Sequence, residues 1–159
     1  MTVKDIVDEN FQDYKKPCMF ICTAKCDGKC WRELGLPSST CQNEKIQSQP
    51  SYNIDDDEIA DRYVKNGITS AVCIAGLEPF LQFGELLSLI AALRKKTMDD
   101  IVIYTGYNKR ELRGQTEVLR EFPNIIIKYG RYHPDLPSRF DEVLGVTLAS
   151  NNQYAEKIS

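Results

Sequence analysis

Five of the six cysteines of this chain fall between Cys18 and Cys41, in the stretch PCMFICTAKCDGKCWRELGLPSSTCQN. Thiolates are soft ligands that suit zinc and iron–sulfur clusters. A set this dense, where an apolar segment runs into a polar loop carrying Gly28, points to a metal or an iron–sulfur cluster. Disulfides are the competing use. Cys18, Cys22, Cys26 and Cys30 recur at every fourth position, which is awkward for mutual pairing. The N-terminus, MTVKDIVDENFQDYKK, is acidic and lacks the apolar centre of a signal peptide. No apolar run approaches the roughly 20 residues needed to span a bilayer. The expectation is a cytoplasmic protein without a membrane partner, whose clustered thiols stay reduced and favour metal.

The elements that must position these thiols read as alternating strand and helix. The 159 residues suit one domain, 1–159, with a single core. A net charge of −3 supplies no basic field for nucleic acid. Strands are expected at 17–22 (PCMFIC), 70–75 (SAVCIA), 101–105 (IVIYT), 124–128 (NIIIK) and 143–149 (VLGVTLA). A helix is expected at 55–66, where Asp55, Asp56 and Asp57 suit the positive N-terminal end and Gly67 marks the stop. A second spans 80–96, with Phe83, Leu86, Leu87, Ile90 and Leu93 in one stripe that reads as core. A weaker third covers 108–121 and stops at Pro123. Continuously apolar strands separated by helices indicate α/β architecture, a mostly parallel sheet of about five strands. About five βα units are too few for a closed eight-fold barrel.

In such sheets the chemistry lies at the carboxyl ends of the strands. There the sequence places the cysteine loop, then Gly76-Leu77-Glu78-Pro79, then Tyr104-Thr105-Gly106-Tyr107, then Ser150-Asn151-Asn152-Gln153. Taken in order, GLEP, YTGY and NNQ resemble the small radical S-adenosylmethionine activating enzymes, closest to the activase of the anaerobic ribonucleotide reductase. The resemblance runs from about Cys18 to Gln153. It implies a partial, incomplete βα barrel of the radical SAM type. It also implies a 4Fe-4S cluster held by three thiolates of a C-x3-C-x2-C loop, with the fourth iron left for the amino and carboxylate groups of S-adenosyl-L-methionine. Carried over to this sequence, the cofactor-binding residues are Gly76, Glu78, Tyr104, Thr105, Asn152 and Gln153. Tyr104, Tyr107 or Trp31 would line the adenine slot. A reductive cleavage to methionine and a 5′-deoxyadenosyl radical follows, and then a hydrogen abstraction from a glycine of a partner protein. The implied partners are a glycyl-radical enzyme, the large subunit of anaerobic ribonucleotide reductase, and a flavodoxin- or ferredoxin-like electron donor.

This chain departs from the family in two places. It has no C-x3-C-x2-C. One ligand set is Cys26, Cys30 and Cys41, with a ten-residue insertion, WRELGLPSST, read as a short helical turn, and with Cys41-Gln42-Asn43 matching the family tail. The alternate set takes Cys22 with Cys26 and Cys30, and Trp31 in the aromatic place. The second glycine of the family's Gly-Gly-Glu is Leu77 here.

Plainer roles compete at several positions. Cys73 lies in an apolar strand and reads as a core thiol; Cys18 shares a face with Phe20 and reads as packing. Trp31 suits a local plug, Tyr104 the core, and Asn152 and Gln153 suit capping and surface positions. Glu78 and Pro79 suit the start of the next helix. His133, the only histidine, reads as loop surface. Two alternatives to the activase stand beside it. One is a radical enzyme acting on another peptide or a small molecule. The other is a non-enzymatic zinc module using Cys18, Cys22, Cys26 and either Cys30 or Cys41, although the spacing lacks the usual C-x2-C knuckle.

Overall fold

The computed structural model describes residues 1–159. The chain forms β1 (Thr2–Asn10), β2 (Cys18–Thr23), the single turns α1 (Lys29–Arg32) and α2 (Glu44–Gln47), and β3 (Tyr52–Asn53). It continues through α3 (Asp56–Lys65), β4 (Ala71–Gly76), α4 (Phe83–Arg94), β5 (Asp100–Tyr104), α5 (Arg113–Leu119) and β6 (Ile125–Tyr129). It closes with β7 (Arg139–Asp141), β8 (Val146–Leu148) and β9 (Tyr154–Lys157). Short 3-10 turns lie at Ser38–Thr40 and Pro79–Gln82.

Seven strands form one mixed sheet in the order β3-β1-β2-β4-β5-β6-β9. The four central strands, β2, β4, β5 and β6, are parallel. Antiparallel β1 and β9 flank them, and β3 adds to the outer edge of β1. The expected 143–149 strand is not part of this sheet. Only β8 forms there, as half of a separate antiparallel hairpin with β7.

The central strands are apolar throughout because both of their faces are covered. One face presents Met19, Ile21, Val72, Ile74, Ile101, Ile103, Ile125 and Ile127 to Ile59 and Tyr63 of α3, to Leu86, Leu89, Ile90 and Leu93 of α4, and to Leu119 of α5. The other presents Cys18, Ala71, Cys73, Ala75, Val102 and Ile126 to Tyr14, Leu144 and Leu148. Helices therefore cover one face, and the β7–β8 region covers the opposite one. The thiols of Cys18 and Cys73 sit within that second core, each 0% exposed, as their apolar settings led us to expect.

The helices start where local chemistry satisfies their free N–H groups. Asp55 is the N-cap of α3 rather than its first residue; its Oδ1 accepts from the N–H groups of Asp57 (2.9 Å) and Glu58 (3.3 Å). Upstream of α4, Glu78 accepts from Phe80 N–H at 3.2 Å and Pro79 occupies the first turn, so the expected 80–96 helix opens as a 3-10 turn. These caps fix the β4-to-α4 junction, which borders the site.

Candidate iron–sulfur site

The carboxyl ends of β2, β4, β5 and β6 open onto one cavity of about 320 Å³. Of the residues singled out from the sequence, Cys26, Cys30, Cys41, Gly76, Glu78, Tyr104, Thr105 and Gln153 line it. Two do not. Cys22 lies beneath Gly76 and is 2% exposed. Gly76 has φ +85°, and a Cβ placed on it would sit 2.2 Å from Cys22 Sγ, so this position needs glycine for both reasons. Burial pushes the Cys22 thiol up to about 11. Asn152 is exposed, and its amide donates to the Arg131 carbonyl at 2.8 Å.

The cysteine loop folds back over the sheet as the inserted turn requires. α1 and the Ser38–Thr40 turn reverse the chain between Cys30 and Cys41. Cys26, Cys30 and Cys41 all line the cavity; burial pushes the Cys30 thiol up to about 11, and the nearby Cys41 and Cys26 add to that shift. Gly28, at φ +67°, turns its N–H onto Cys26 Sγ at 3.3 Å. Gln47 donates to Cys41 Sγ at 3.7 Å. Asn43, from the Cys41-Gln42-Asn43 tail, donates to the Gly76 carbonyl at 2.5 Å and so joins the loop to the end of β4.

Polar contacts tie the rim together. Glu78 is 6% exposed. Its Oε1 accepts from Thr105 Oγ1 at 2.8 Å and its Oε2 from Gly106 N–H at 2.9 Å, clasping the ends of β4 and β5. Burial nevertheless pushes its pKa up to about 7. The Glu78 of the sequence reading thus serves as both cap and cavity wall. Tyr107 donates to Asp27 at 2.7 Å, and the Lys29 ammonium stands 4.6 Å from the Tyr107 ring centre. Arg131 binds both oxygens of Glu111 at 2.8 Å, which holds Glu111 down at about 2, and also reaches Glu33 of the cysteine loop at 3.2 Å. Gln153 is 5% exposed; its amide donates to the Gly130 carbonyl at 3.2 Å and its oxygen accepts from Ser150 N–H at 3.2 Å. His133 is half-buried rather than on the surface, and its backbone N–H donates to Ser150 Oγ at 3.2 Å.

Sequence reasoning missed Lys128 and Arg131, both in the cavity wall. A lysine closing an apolar strand reads as an end that meets solvent. The one signal available was parity, since position 128 shares its face with the buried Ile126.

The donors fit an iron–sulfur cluster. Three thiols share one cavity, and Gly28 and Gln47 aim N–H groups at sulfur. Trp31 Nε1 is buried on the cavity wall without a partner, so it has an N–H to offer to a cluster sulfur. The zinc grouping fits less well. Cys18, which that grouping needed, points to the Asn10 carbonyl at 3.6 Å from inside the sheet. The profile of the 4Fe-4S single cluster domain family matches residues 16–153, which include every cysteine. The chain belongs to that family. It is an iron–sulfur protein. No characterised protein and no solved structure matches it. No helix is long and apolar enough to cross a membrane.

Proposed function

We propose that this iron–sulfur protein is a radical S-adenosylmethionine enzyme that installs a glycyl radical on an anaerobic ribonucleotide reductase. The observation that carries this reading is the meeting of three loop thiols with the Gly76–Glu78 and Tyr104–Tyr107 rims on one cavity. Four parallel strands with helices over one face also suit a sector of an incomplete βα barrel.

Cys26, Cys30 and Cys41 would hold three irons of the 4Fe-4S cluster, with Cys22 set aside by its packing under Gly76. When bound, the reduced cluster supplies the electron that splits S-adenosylmethionine into methionine and a 5′-deoxyadenosyl radical. The chain's own residues bind and orient. Gly76 puts bare backbone on the cavity rim where the methionine part would lie, while Glu78 keeps Thr105 and Gly106 in place. Tyr104 and Tyr107 give the adenine ring aromatic walls. Gln153 fixes the Gly130 turn, and Asn152 acts at one remove by holding Arg131. A flavodoxin- or ferredoxin-like protein would serve as donor.

The test is anaerobic reconstitution with iron and sulfide, reduction, addition of S-adenosylmethionine, and mass spectrometry for 5′-deoxyadenosine. Product that disappears in Cys26→Ala supports the reading; a loaded 4Fe-4S protein that makes none, with the reductase present, refutes it. A radical enzyme with a different substrate is favoured by the β7–β8 region, which covers the inner face of the sheet that a large polypeptide would otherwise reach. Product formed without hydrogen transfer to the reductase glycine would select it.

A further inference from the structure

The cavity contains a cation that the reading above leaves unused. Lys128 is 7% exposed, on the inner face of β6, directly opposite Tyr104 in the register. Its ammonium lies 5.7 Å from the Tyr104 ring centre, and its one hydrogen bond runs to the Gly130 carbonyl at 3.1 Å. An ammonium has three N–H donors, so two remain unmatched. No carboxylate pairs with it. Glu78, the acid nearest in charge, is occupied by Phe80, Thr105 and Gly106. Phe20, Tyr104 and Leu148 are among the apolar residues of the same cavity.

A buried, unpaired cation is costly, and an apolar side chain of the same length would suit these neighbours better. A fold that keeps one facing a cavity has a place for an anion. We propose that the inner end of the cavity is an anion subsite, in which Lys128 receives the carboxylate or phosphate of the molecule that gives up its hydrogen. This rests on the radical reading in its second form, in which the hydrogen donor is an anionic molecule rather than the reductase glycine. There, the family resemblance would give the methionine carboxylate to the open iron, whereas no acid of this chain pairs with Lys128. The substrate class is therefore anionic, with its negative group close to the C–H bond that is broken. A carboxylate or phosphate would take charge-assisted hydrogen bonds from Lys128 in a site shielded from water.

The test uses the reconstituted protein saturated with S-adenosylhomocysteine, titrated calorimetrically with inorganic phosphate and with acetate. Saturable binding of either anion, weakened at least tenfold in Lys128→Met, with S-adenosylhomocysteine affinity within twofold of the parent, is the expected result. The same substitution should raise the melting temperature, because it removes an unpaired buried charge. Absence of saturable anion binding in the parent overturns the proposal, as does equal binding in Lys128→Met. So does a tenfold loss of S-adenosylhomocysteine affinity without separate anion binding, which would give the cation to the cofactor. A lowered melting temperature would make Lys128 structural and also overturn it. Formation of 5′-deoxyadenosine is measured separately. Its failure in a loaded protein strikes the radical reading, while the anion titration is read on its own.

Discussion

Gly76→Ala tests the close packing at the end of β4, where the proposed cofactor rim and the cysteine loop meet. Gly76 has φ +85°. Holding an alanine in the left-handed region costs about 1–2 kcal/mol. The new Cβ would stand 2.2 Å from Cys22 Sγ, 3.1 Å from Cys22 Cα and 3.2 Å from its Cβ. Two of those neighbours cannot rotate away, so an overpacking cost of about 1–3 kcal/mol is added. The total is about 2–5 kcal/mol, or a fall of about 4–20 °C in melting temperature for a chain of this size. Urea unfolding of the cluster-free, reduced protein, followed by the far-ultraviolet circular dichroism of the sheet and its helices, measures it. Cys22→Ala in the same background removes the sulfur but not the backbone strain. The double variant should therefore recover about 1–3 kcal/mol relative to the sum of the singles. A Gly76→Ala protein within about 0.5 kcal/mol of the parent would refute the backbone argument. Strictly additive singles would refute the contact with Cys22.

Iron analysis should show cluster loss in Cys26→Ala, Cys30→Ala and Cys41→Ala, and retention in Cys18→Ala, Cys22→Ala and Cys73→Ala; retention in Cys41→Ala with loss in Cys22→Ala would reverse the ligand assignment. Glu78, raised by burial from 4.5 to about 7, binds its proton more readily folded than unfolded. Its contribution to stability is thus present in full below about 4.5 and lost as pH rises through about 7. That contribution is about 3 kcal/mol. In Glu78→Gln the decline in melting temperature of the cluster-free protein across that interval should flatten, and an unchanged slope would refute the assignment. Asn43→Ala removes the tie to the Gly76 carbonyl. It should speed iron loss to a chelator several-fold while costing about 0.5–1.5 kcal/mol of global stability; an unchanged rate of iron loss would count against the tie.

The central βαβ units were legible because their strands are short apolar runs and their helices carry regular stripes. The flanking strands were not. In β1 only Val3 and Ile6 are buried among the acidic residues, and register shifts between Val3 and Asp5 and between Val7 and Asn10 break the period of two. β9 is four residues long, with no buried side chain. The run at 143–149 looked like a sheet strand because Val143, Leu144, Val146 and Leu148 are apolar. Gly145, at φ +72° and pressed against Lys15, instead turns the chain so that only Val146–Leu148 extends, over the face of the sheet. At the site, the residue types and order located the rim. The sequence ranks Cys41 over Cys22 only through the Cys41-Gln42-Asn43 match, because the depth of Cys22 beneath Gly76 is a contact across two strands. Lys128 escaped for the same reason, since its partners and its lack of an acid are tertiary facts.

The cysteine loop has little core of its own. α1, the Ser38–Thr40 turn and α2 contain no buried residue. What holds them to the sheet is polar: Asn43 on Gly76, Tyr107 on Asp27, and Arg131 between Glu111 and Glu33. Exposed ion pairs contribute about 0–1 kcal/mol each, and a hydrogen bond about 1. Ordering some twenty loop residues costs more than such ties return. The thiols within the loop make up the difference, because a metal group bound only by the folded form adds its binding free energy to folding. On the proposed ligand set, the cluster would therefore serve as the loop's core. The sheet beneath, with an apolar core on each face, stands without it. Gly76, where only glycine fits, and Lys128, whose charge has no acid partner, both line the cavity between that sheet and the loop.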